Sequence, residues 1–319
     1  MSSTTQNGHS ATRFTAAIIG IVCSFSFFAA YIVIPPAGIF SGLLAPFPAA
    51  FSWFKFGKNT AVIITLVTTA ILTAVFGAHA GFLYLAQSGA IALVMPELLA
   101  RNFGAVRSLL WTTLANLVLF VIAALVLTYG SGQNLHLLAV KEINESITQA
   151  AGMYEKAGVT GEDLAVMKQS MTMAGSLVVK IYPSLMTIML IATAGFNLAL
   201  LRRSAVRWGF ELSVGNFSGF RNPEPLVWLL ILSGFAMMVV SPLVSVPALN
   251  VLVILSVLYF LQGLAVITTV LARRTYAGIL RAALYIMLVF QPYLAFIVAI
   301  IGIFDLWGDF RTPRKQENL

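Results

Sequence analysis

The sequence contains little cysteine and little charge. Cys23 is the one cysteine among 319 residues, which excludes an intrachain disulfide framework and any paired-cysteine metal or redox site. Charged residues make up 9% of the chain, and there are 3 histidines. No chain of Asp, Glu and His side chains that could relay protons can be assembled from so few groups, which argues against a proton pump.

Sequence motifs of known catalytic sites are also missing. No Walker A, GxSxG or HExxH motif occurs, and the stretch Gly215–Gly219 does not follow a strand as a dinucleotide-binding loop would. The sequence therefore predicts a protein that is not an enzyme and that holds no metal and no cofactor. Without a site for ATP hydrolysis, any energy input would come from a partner or a gradient.

Hydrophobic residues, in contrast, make up 59% of the chain, and the mean hydropathy is +0.92. So much apolar surface can stay exposed only in a lipid bilayer, which is therefore the first predicted partner. The apolar runs are continuous over about 20 residues instead of alternating with polar residues, so we expect helices and not barrel strands. We predict an all-α, polytopic transmembrane helical bundle of about 8–10 membrane segments.

The net charge of +8 comes from basic residues that lie mainly in the turns between apolar runs. Lys and Arg are retained in cytoplasmic loops, so this distribution indicates membrane topology and not binding to nucleic acid. Placing the basic turns in the cytoplasm predicts a cytoplasmic N-terminus. A cytoplasmic C-terminus follows if the last apolar stretch crosses the membrane twice.

Composition along the chain predicts four parts. They are a disordered tail over 1–12, a six-span bundle over 13–221, further membrane segments over 222–308 and a basic cytoplasmic tail over 309–319. The second apolar run is short and broken, because prolines lie at both ends of the stretch Pro35–Pro48.

The only long polar segment between spans covers residues 130–177. Its apolar residues recur at helical spacing, and glycines at Gly158 and Gly161 interrupt the pattern. We therefore predict an amphipathic helical hairpin, which the topology places outside the cell.

The last apolar stretch, Ala277 to Trp307, allows two interpretations. One helix of this length would extend roughly 46 Å, well over a hydrocarbon core of about 30 Å. Two short helices hinged at Gln291-Pro292 are the favoured interpretation, and a single long tilted helix is the alternative.

Ionisable side chains inside the apolar runs are scarce. Glu97, near the end of the fourth run, lies four residues before Arg101, and an ion pair between them at the membrane interface explains its position. A role for Glu97 in proton transfer or ligand binding is the alternative.

The remaining polar groups inside the apolar runs are neutral amides, which can either bond neighbouring helices or contact a ligand. We expect Asn116 and Gln291 to lie deepest, and Pro292 frees a backbone carbonyl beside Gln291. The candidate ligand-binding residues are Asn116, Gln291, Gln87, Asn197 and Gln262, with Asn250 as a further buried amide.

Small residues recur at four-residue spacing in the first span, at Ala16, Gly20 and Ser24. Such a stripe allows helix backbones to approach closely. It predicts either packing within the chain or docking onto a second membrane protein.

Several stretches together resemble the YybS-type family of bacterial inner-membrane proteins, and the resemblance covers nearly the whole chain. They are Pro35–Pro48 with Lys55-Phe56-Gly57 after it, Asn222–Trp228, Leu258–Ala265, Gly302–Asp305 and Asp309–Arg311. The resemblance implies a multi-pass protein of the bacterial inner membrane, and it carries over no catalytic residue.

The first six spans of that family are in turn distantly similar to the substrate-capture (S) subunits of energy-coupling factor vitamin transporters. Those subunits bind a vitamin near the external face and dock onto a separate energising module through small residues of the first helix, to which Ala16, Gly20 and Ser24 correspond. The spans after Arg221 depart from this pattern, because S subunits usually stop at six.

Two functions are consistent with the sequence. One is a binding or transport protein for a small, largely neutral molecule, captured beneath the 130–177 hairpin in a cavity near Asn116 and Gln291. The alternative is a membrane scaffold that holds partner proteins and transports nothing.

Overall fold

A computed structural model describes residues 3–131, 135–212, 214, 217–308 and 310–311. Helices make up most of these ranges, and no β-strand occurs in them. The helices are α1 Ser3–Val33, α2 Pro35–Leu44, α3 Phe47–Phe56, α4 Lys58–Phe76, α5 Ala78–Tyr84, a π-helical segment Leu85–Gly89, α6 Ala90–Ala100, α7 Ala105–Ser131, α8 Leu135–Lys156, α9 Gly161–Trp208, a 3-10 turn Phe217–Gly219, α10 Pro225–Ala236, α11 Pro242–Leu271, α12 Ala277–Phe290 and α13 Leu294–Gly308. The all-α prediction is confirmed.

Within the described residues, 6 helical stretches are long and apolar enough to cross a membrane. They are Thr12–Val33, Lys58–Phe76, Ala78–Ala100, Ala105–Val126, Gly161–Trp208 and Pro242–Leu271. The apolar helices α10, α12 and α13 are shorter, at 10–17 residues. A polytopic helical membrane bundle is therefore confirmed, whereas the total of about 8–10 membrane segments stays a prediction that depends on how the short helices sit in the bilayer.

The N-terminal segment differs from its prediction. Residues 3–12, for which the composition predicts a disordered tail, form the first turns of α1. A helix is costly to begin and inexpensive to extend, so the apolar run that follows can propagate helix back into polar residues.

The proline-containing second segment is broken as predicted. α2 ends at Leu44 and α3 begins at Phe47, with Ala45 and Pro46 between them. Pro46 has no backbone N–H to continue the hydrogen-bond ladder of α2.

The structure comprises two compact units, whose bounds differ from the predicted domains. The first contains residues 1–139 and 189–214, and the second contains residues 140–188 and 215–319. Most of the predicted hairpin thus belongs with the C-terminal helices instead of the N-terminal bundle. The physical reason lies within the second unit, where the side chain of Asn250 on α11 hydrogen-bonds to the backbone of α9 at Lys180 and Ser184.

The hairpin itself has the predicted form. α8 ends at Lys156 and α9 begins at Gly161, and both Gly158 and Gly161 adopt positive φ angles that suit glycine. The two arms touch at Gly175, where an added Cβ would overlap the side chain of Ile147.

The last apolar stretch consists of two helices. α12 ends at Phe290, α13 starts at Leu294, and Gln291 is extended, with φ −129° and ψ 75°. The predicted break at Gln291-Pro292 is confirmed, and the single long helix is wrong, because Pro292 cannot donate to the ladder.

Close backbone contact holds α13 against α11. A Cβ added at Gly302 would overlap the carbonyl oxygen of Tyr259 and lie 2.7 Å from the backbone nitrogen of Gly263. Glycine at both positions lets the two helix backbones touch, which is how helices in apolar surroundings gain packing energy. In the first unit, α1 packs on α4 differently, because Gly20 leaves room for the side chain of Ile64 and not for a helix backbone.

Candidate functional site

A break in helical regularity lies at the centre of the first unit. The chain is π-helical over Leu85–Gly89, between α5 and α6. Here the fully buried side chain of Asn116 on α7 accepts a hydrogen bond from the backbone N–H of Ala90 at 3.2 Å and donates to the carbonyl oxygen of Gln87 at 3.3 Å. The amide therefore satisfies backbone groups that the irregular turn leaves unpaired. Single π-helical turns are frequent at functional sites.

Three buried hydroxyl groups meet immediately before this break. Ser24 of α1 and Thr68 of α4 lie beside the hydroxyl of Tyr84, the last residue of α5. All three side chains are 0% exposed, and the hydroxyls of Ser24 and Thr68 lie within hydrogen-bonding reach of that of Tyr84. These contacts are poorly directed, and none of the three forms a well-directed hydrogen bond with any described residue. We call Ser24, Thr68 and Tyr84 the hydroxyl cluster.

Further buried polar side chains lie on α7 and in the π-helical segment. Ser108, Thr112 and Asn116 recur every four residues on one face of α7, and all are 0% exposed. Ser88 lies in the π-helical segment between the two backbone groups that Asn116 binds. In the part of the chain that the structure describes, the hydroxyls of Ser88, Ser108 and Thr112 have no hydrogen-bond partner.

These groups can donate and accept hydrogen bonds but carry no charge. Other threonines of the same helices behave differently, since Thr65 donates to the carbonyl oxygen of Ala61 at 2.9 Å and Thr69 to that of Thr65 at 2.8 Å. The unpaired hydroxyls are therefore not the usual state of a threonine or serine in these helices. A small molecule or ordered water with hydrogen-bonding groups would satisfy them.

Asn197, like Asn116, hydrogen-bonds to the backbone where a helix is interrupted. In this case the interruption is the break between α2 and α3. Its Nδ2 donates to the carbonyl oxygens of Leu43 and of Thr193, each at 2.8 Å. Its Oδ1 is buried and has no partner among the described residues. The residue thus stabilises a proline-broken segment and shares no hydrogen bond with Asn116.

Asn250 plays the corresponding part in the second unit. Its Oδ1 accepts from the backbone N–H of Ser184 at 2.9 Å, and its Nδ2 donates to the carbonyl oxygen of Lys180 at 2.7 Å. Pro183 lies inside α9 at this point and interrupts the ladder of that helix. The side chain of Asn250 binds backbone groups on both sides of Pro183, the carbonyl of Lys180 and the N–H of Ser184.

A buried charged network occupies the second unit. Asp305 of α13 is 2% exposed and pairs with Arg311, whose Nη2 lies 2.8 Å from Oδ2. Gln262 of α11 donates to the same carboxylate at 3.1 Å and accepts from the backbone N–H of Asn222 at 2.9 Å. Asn222 in turn donates to the carbonyl oxygen of Leu258 at 2.9 Å. We call Asn222, Gln262, Asp305 and Arg311 the Asp305 network.

Arg221 and Arg311 connect the Asp305 network to backbone carbonyl groups. Arg221 donates to the carbonyl oxygens of Asp305 and Leu306, at 3.1 and 2.8 Å. Arg311 also donates to the carbonyl oxygen of Phe220 at 2.7 Å. The bonds tie the segment before α10 to the end of α13, and the carboxylate has partners on two sides, as a buried charge requires.

The other predicted positions are peripheral. Gln291 is exposed at the break between α12 and α13. Glu97 pairs with Arg101 at 2.6 Å and with Lys58 at 3.0 Å, so the predicted ion pair of Glu97 with Arg101 is confirmed, whereas its place at the membrane interface stays a prediction.

Of the five predicted ligand-binding residues, the structure brings two into contact and places the other three elsewhere. Asn116 bonds directly to the backbone of Gln87, in the π-helical segment that follows Tyr84. Asn197 lies at the α2–α3 break, Gln262 belongs to the Asp305 network, and Gln291 is exposed. A role for these residues in ligand binding stays a prediction, because most of their hydrogen bonds go to backbone groups.

The small-residue stripe of α1 contacts its own chain. Gly20 is buried against Ile64, and Ser24 belongs to the hydroxyl cluster, whereas Ala16 is half-buried. These contacts favour packing within the chain, and docking onto another membrane protein stays a prediction.

A groove of about 440 Å³ runs between α8 and residues 171–178 of α9. Its walls are mainly apolar, with residues such as Ile143, Ile147 and Met171, and Glu142 and Ser146 are its charged and polar members. Among the described residues that line the groove, none has a buried polar side-chain atom without a hydrogen-bond partner. It therefore offers a neutral polar ligand less than the hydroxyl cluster does.

The Asp305 network joins stretches that are far apart in sequence and that carry the family resemblance, namely Asn222–Trp228, Leu258–Ala265 and Gly302–Asp305. The family described as "Predicted membrane protein (DUF2232)" matches residues 22–306. The chain belongs to this family. The DUF2232 match covers the hydroxyl cluster and all members of the Asp305 network except Arg311. No curated protein and no solved structure matches the chain.

Sequence reasoning missed two features of this DUF2232 protein. One is Asp305, which lies at the end of the last apolar run, three residues after Gly302, the glycine that packs on α11. An acidic residue inside an apolar run indicates that the structure supplies a buried partner for it. The four-residue spacing of Ser108, Thr112 and Asn116 was a signal of a polar helix face. The meeting of Ser24, Thr68 and Tyr84 depends on tertiary packing and left no pattern in the sequence.

Proposed function

We propose that the protein binds a small, largely neutral molecule in its first unit, as a binding or transport protein without an ATPase of its own. The site is the hydroxyl cluster together with the π-helical segment beside it. The observation that carries the proposal is the group of buried hydroxyls around Tyr84, which lie within reach of one another but form no well-directed hydrogen bond with any described residue.

The energetic basis is the cost of leaving polar groups unpaired. A buried hydroxyl without a hydrogen bond costs about 1–3 kcal/mol relative to a satisfied one. Four hydroxyls of the site, those of Ser24, Thr68, Tyr84 and Ser88, lack a well-directed hydrogen bond to the described residues. A ligand that bonds to several of them offsets this cost, and that difference is a source of affinity and of specificity.

The chemistry of the lining indicates the class of ligand. Hydroxyl and amide groups donate and accept but cannot neutralise a charge, and an unpaired ion in such surroundings would be strongly disfavoured. We therefore expect an uncharged molecule with hydroxyl, carbonyl or amide groups. The resemblance to substrate-capture subunits is consistent with such a ligand, and it stays a prediction.

The test is retention of a ligand by the purified protein. We expect native mass spectrometry of protein extracted in a mild detergent to show a bound small molecule that solvent extraction releases. Tyr84→Phe removes one hydroxyl of the cluster and should reduce the bound fraction by about tenfold, as for loss of one hydrogen bond that the ligand needs.

Tyr259→Phe is the matched control, because Tyr259 is also 0% exposed with an unpaired hydroxyl but belongs to the second unit. It should leave ligand retention unchanged. Equal loss in both variants, or a wild-type protein that carries no small molecule under any extraction, would contradict the proposal.

A membrane scaffold without transport activity is the second candidate. The observation in its favour is that Asn116, Asn197 and Asn250 all bond to helix backbones, as expected of a filled and rigid bundle. It predicts that protein partners persist through purification and that no small molecule is retained.

A further inference from the structure

A second apolar space lies at the C-terminal end of α11, in the second unit. It is a crevice of about 390 Å³, and all of its lining residues are apolar. Val270 and Leu271 of α11 form one wall, Ile301 and Phe304 of α13 form the other, and Phe310 adjoins them. The width and chemistry of such a crevice suit a hydrocarbon chain and not a polar solute.

Basic residues follow directly at the end of this crevice. Arg273 and Arg274 lie in the turn after α11, and both are exposed. Arg273 donates to the carbonyl oxygen of Arg311, the residue after Phe310, so its side chain lies at the mouth of the crevice. Arg274 forms no ion pair or side-chain hydrogen bond with the described part of the chain. Asp309, which precedes Phe310, lies outside the described residues.

Arg281 of α12 supplies a third guanidinium group with an unused donor. Its Nη2 donates weakly to the carbonyl oxygen of Thr268 at 3.3 Å, and Thr268 lies within one turn of the crevice residue Leu271. Its Nε is buried and has no partner among the described residues. A buried guanidinium N–H without an acceptor is available to an anion that binds beside it.

We propose that this crevice binds one anionic phospholipid. An acyl chain lies between α11 and α13, and the phosphate accepts hydrogen bonds from Arg281 and Arg274. Guanidinium groups pair with phosphate through strong charge-assisted hydrogen bonds. Basic pockets between membrane helices commonly bind anionic lipid headgroups. The adjoining apolar crevice favours a lipid over free phosphate, because burial of the chain adds to the binding energy with each methylene.

Native mass spectrometry of delipidated protein, titrated with phosphatidylglycerol or with phosphatidylcholine of the same chains, tests the proposal. We expect phosphatidylglycerol to be retained preferentially. Arg281→Gln and Arg274→Gln should each weaken retention of phosphatidylglycerol by about tenfold, as for loss of one charge-assisted hydrogen bond. Arg203→Gln, which removes an exposed arginine of α9, is the matched control and should have no effect.

Val270→Trp fills the crevice without removing a charge, and it should also weaken retention. A melting curve for each variant shows that it is folded. Equal retention of the two lipids, or an equal loss in Arg203→Gln, would overturn the proposal. Competition by inorganic phosphate with no effect of Val270→Trp would also overturn it, because the site would then bind a free anion and not a lipid.

Discussion

Buried polar groups are paired in one unit and poorly paired in the other. The paired groups form the Asp305 network of the second unit, and the poorly paired groups form the hydroxyl cluster of the first unit. The network carries a full charge, and its carboxylate has both an arginine and an amide as partners. The hydroxyl cluster is neutral, and its groups have no well-directed partner among the described residues. The comparison suggests that the network maintains the fold, whereas the cluster is available to a ligand.

The free-energy cost of burying an unpaired group explains why the charged side chains are paired and the neutral hydroxyls are not. An unpaired charge inside an apolar bundle would cost several kcal/mol, so a buried Asp305 persists only with its partners in place. An unpaired hydroxyl costs about 1–3 kcal/mol, which a folded protein can carry at a site that a ligand later fills. Removing a group from each region therefore tests the comparison, and the variants follow in order of the expected loss of stability.

Asp305→Ala should have the largest effect. It leaves the guanidinium of Arg311, whose side chain is 15% exposed, without its carboxylate, and it also leaves Gln262 without an acceptor. Breaking a buried ion pair from one side costs about 3–5 kcal/mol. We expect a large fall in melting temperature, measured by differential scanning fluorimetry in detergent.

Glu97→Ala is the control for that variant, because the Glu97 side chain is 27% exposed and its pairs with Lys58 and Arg101 are near the surface. Such pairs contribute about 0–1 kcal/mol. If Asp305→Ala were as stable as Glu97→Ala, the Asp305 network would not be what maintains the second unit.

Gly302→Ala should be the next most destabilising. The added Cβ would overlap the carbonyl oxygen of Tyr259, so α13 must move away from α11 and distort the Asp305 network. Overpacking of this kind costs about 1–3 kcal/mol. Gly195→Ala in α9 is the matched change, since a Cβ there meets nothing within 4 Å and should stabilise the helix slightly. A melting temperature for Gly302→Ala at or above that of Gly195→Ala would refute the close contact.

Asn116→Leu tests the first unit. It leaves the N–H of Ala90 and the carbonyl of Gln87 unpaired at the π-helical segment, at a cost of about 1–3 kcal/mol. Gln291→Leu, at an exposed position, should change stability little. Thermal unfolding of both variants compares them. A lower melting temperature for Gln291→Leu than for Asn116→Leu would show that Gln291 and not Asn116 stabilises a helix break.

Thr68→Val should have the smallest effect on stability and a clear effect on binding. Replacing a hydroxyl that lacks a well-directed bond by a methyl group should leave the free energy of unfolding unchanged or raise it, whereas Thr65→Val removes a hydroxyl that bonds to Ala61 and should cost about 1 kcal/mol. We expect Thr68→Val to lose the retained molecule and Thr65→Val to keep it, measured by native mass spectrometry. Retention by both variants would place the ligand elsewhere.

The breaks in the chain could be predicted from the sequence because proline and glycine act locally. The interruptions at Pro46, at Gly158–Gly161 and at Gln291-Pro292 all occur where the residues indicate. The ion pair of Glu97 with Arg101 was predictable for the same reason, since four-residue spacing on a helix determines contact.

The partners of the buried amides were not predictable, because each one lies on another helix far away in the chain. Asn116, Asn197 and Asn250 bond to the backbone at a π-helical turn, beside Pro46 and beside Pro183. The grouping of the hairpin with the C-terminal helices depends on one such contact, that of Asn250. A polar residue in an apolar run therefore predicts a partner, whereas its identity requires the tertiary structure.

An experimental density map of the purified wild-type protein, at a resolution that shows ordered water, tests the central claim most directly. The account predicts density for a small molecule or for water within hydrogen-bond distance of the hydroxyls of Ser24, Thr68 and Tyr84. Hydroxyls of Ser24 and Thr68 that turn back to carbonyl oxygens of their own helices, with nothing beside Tyr84, would contradict it.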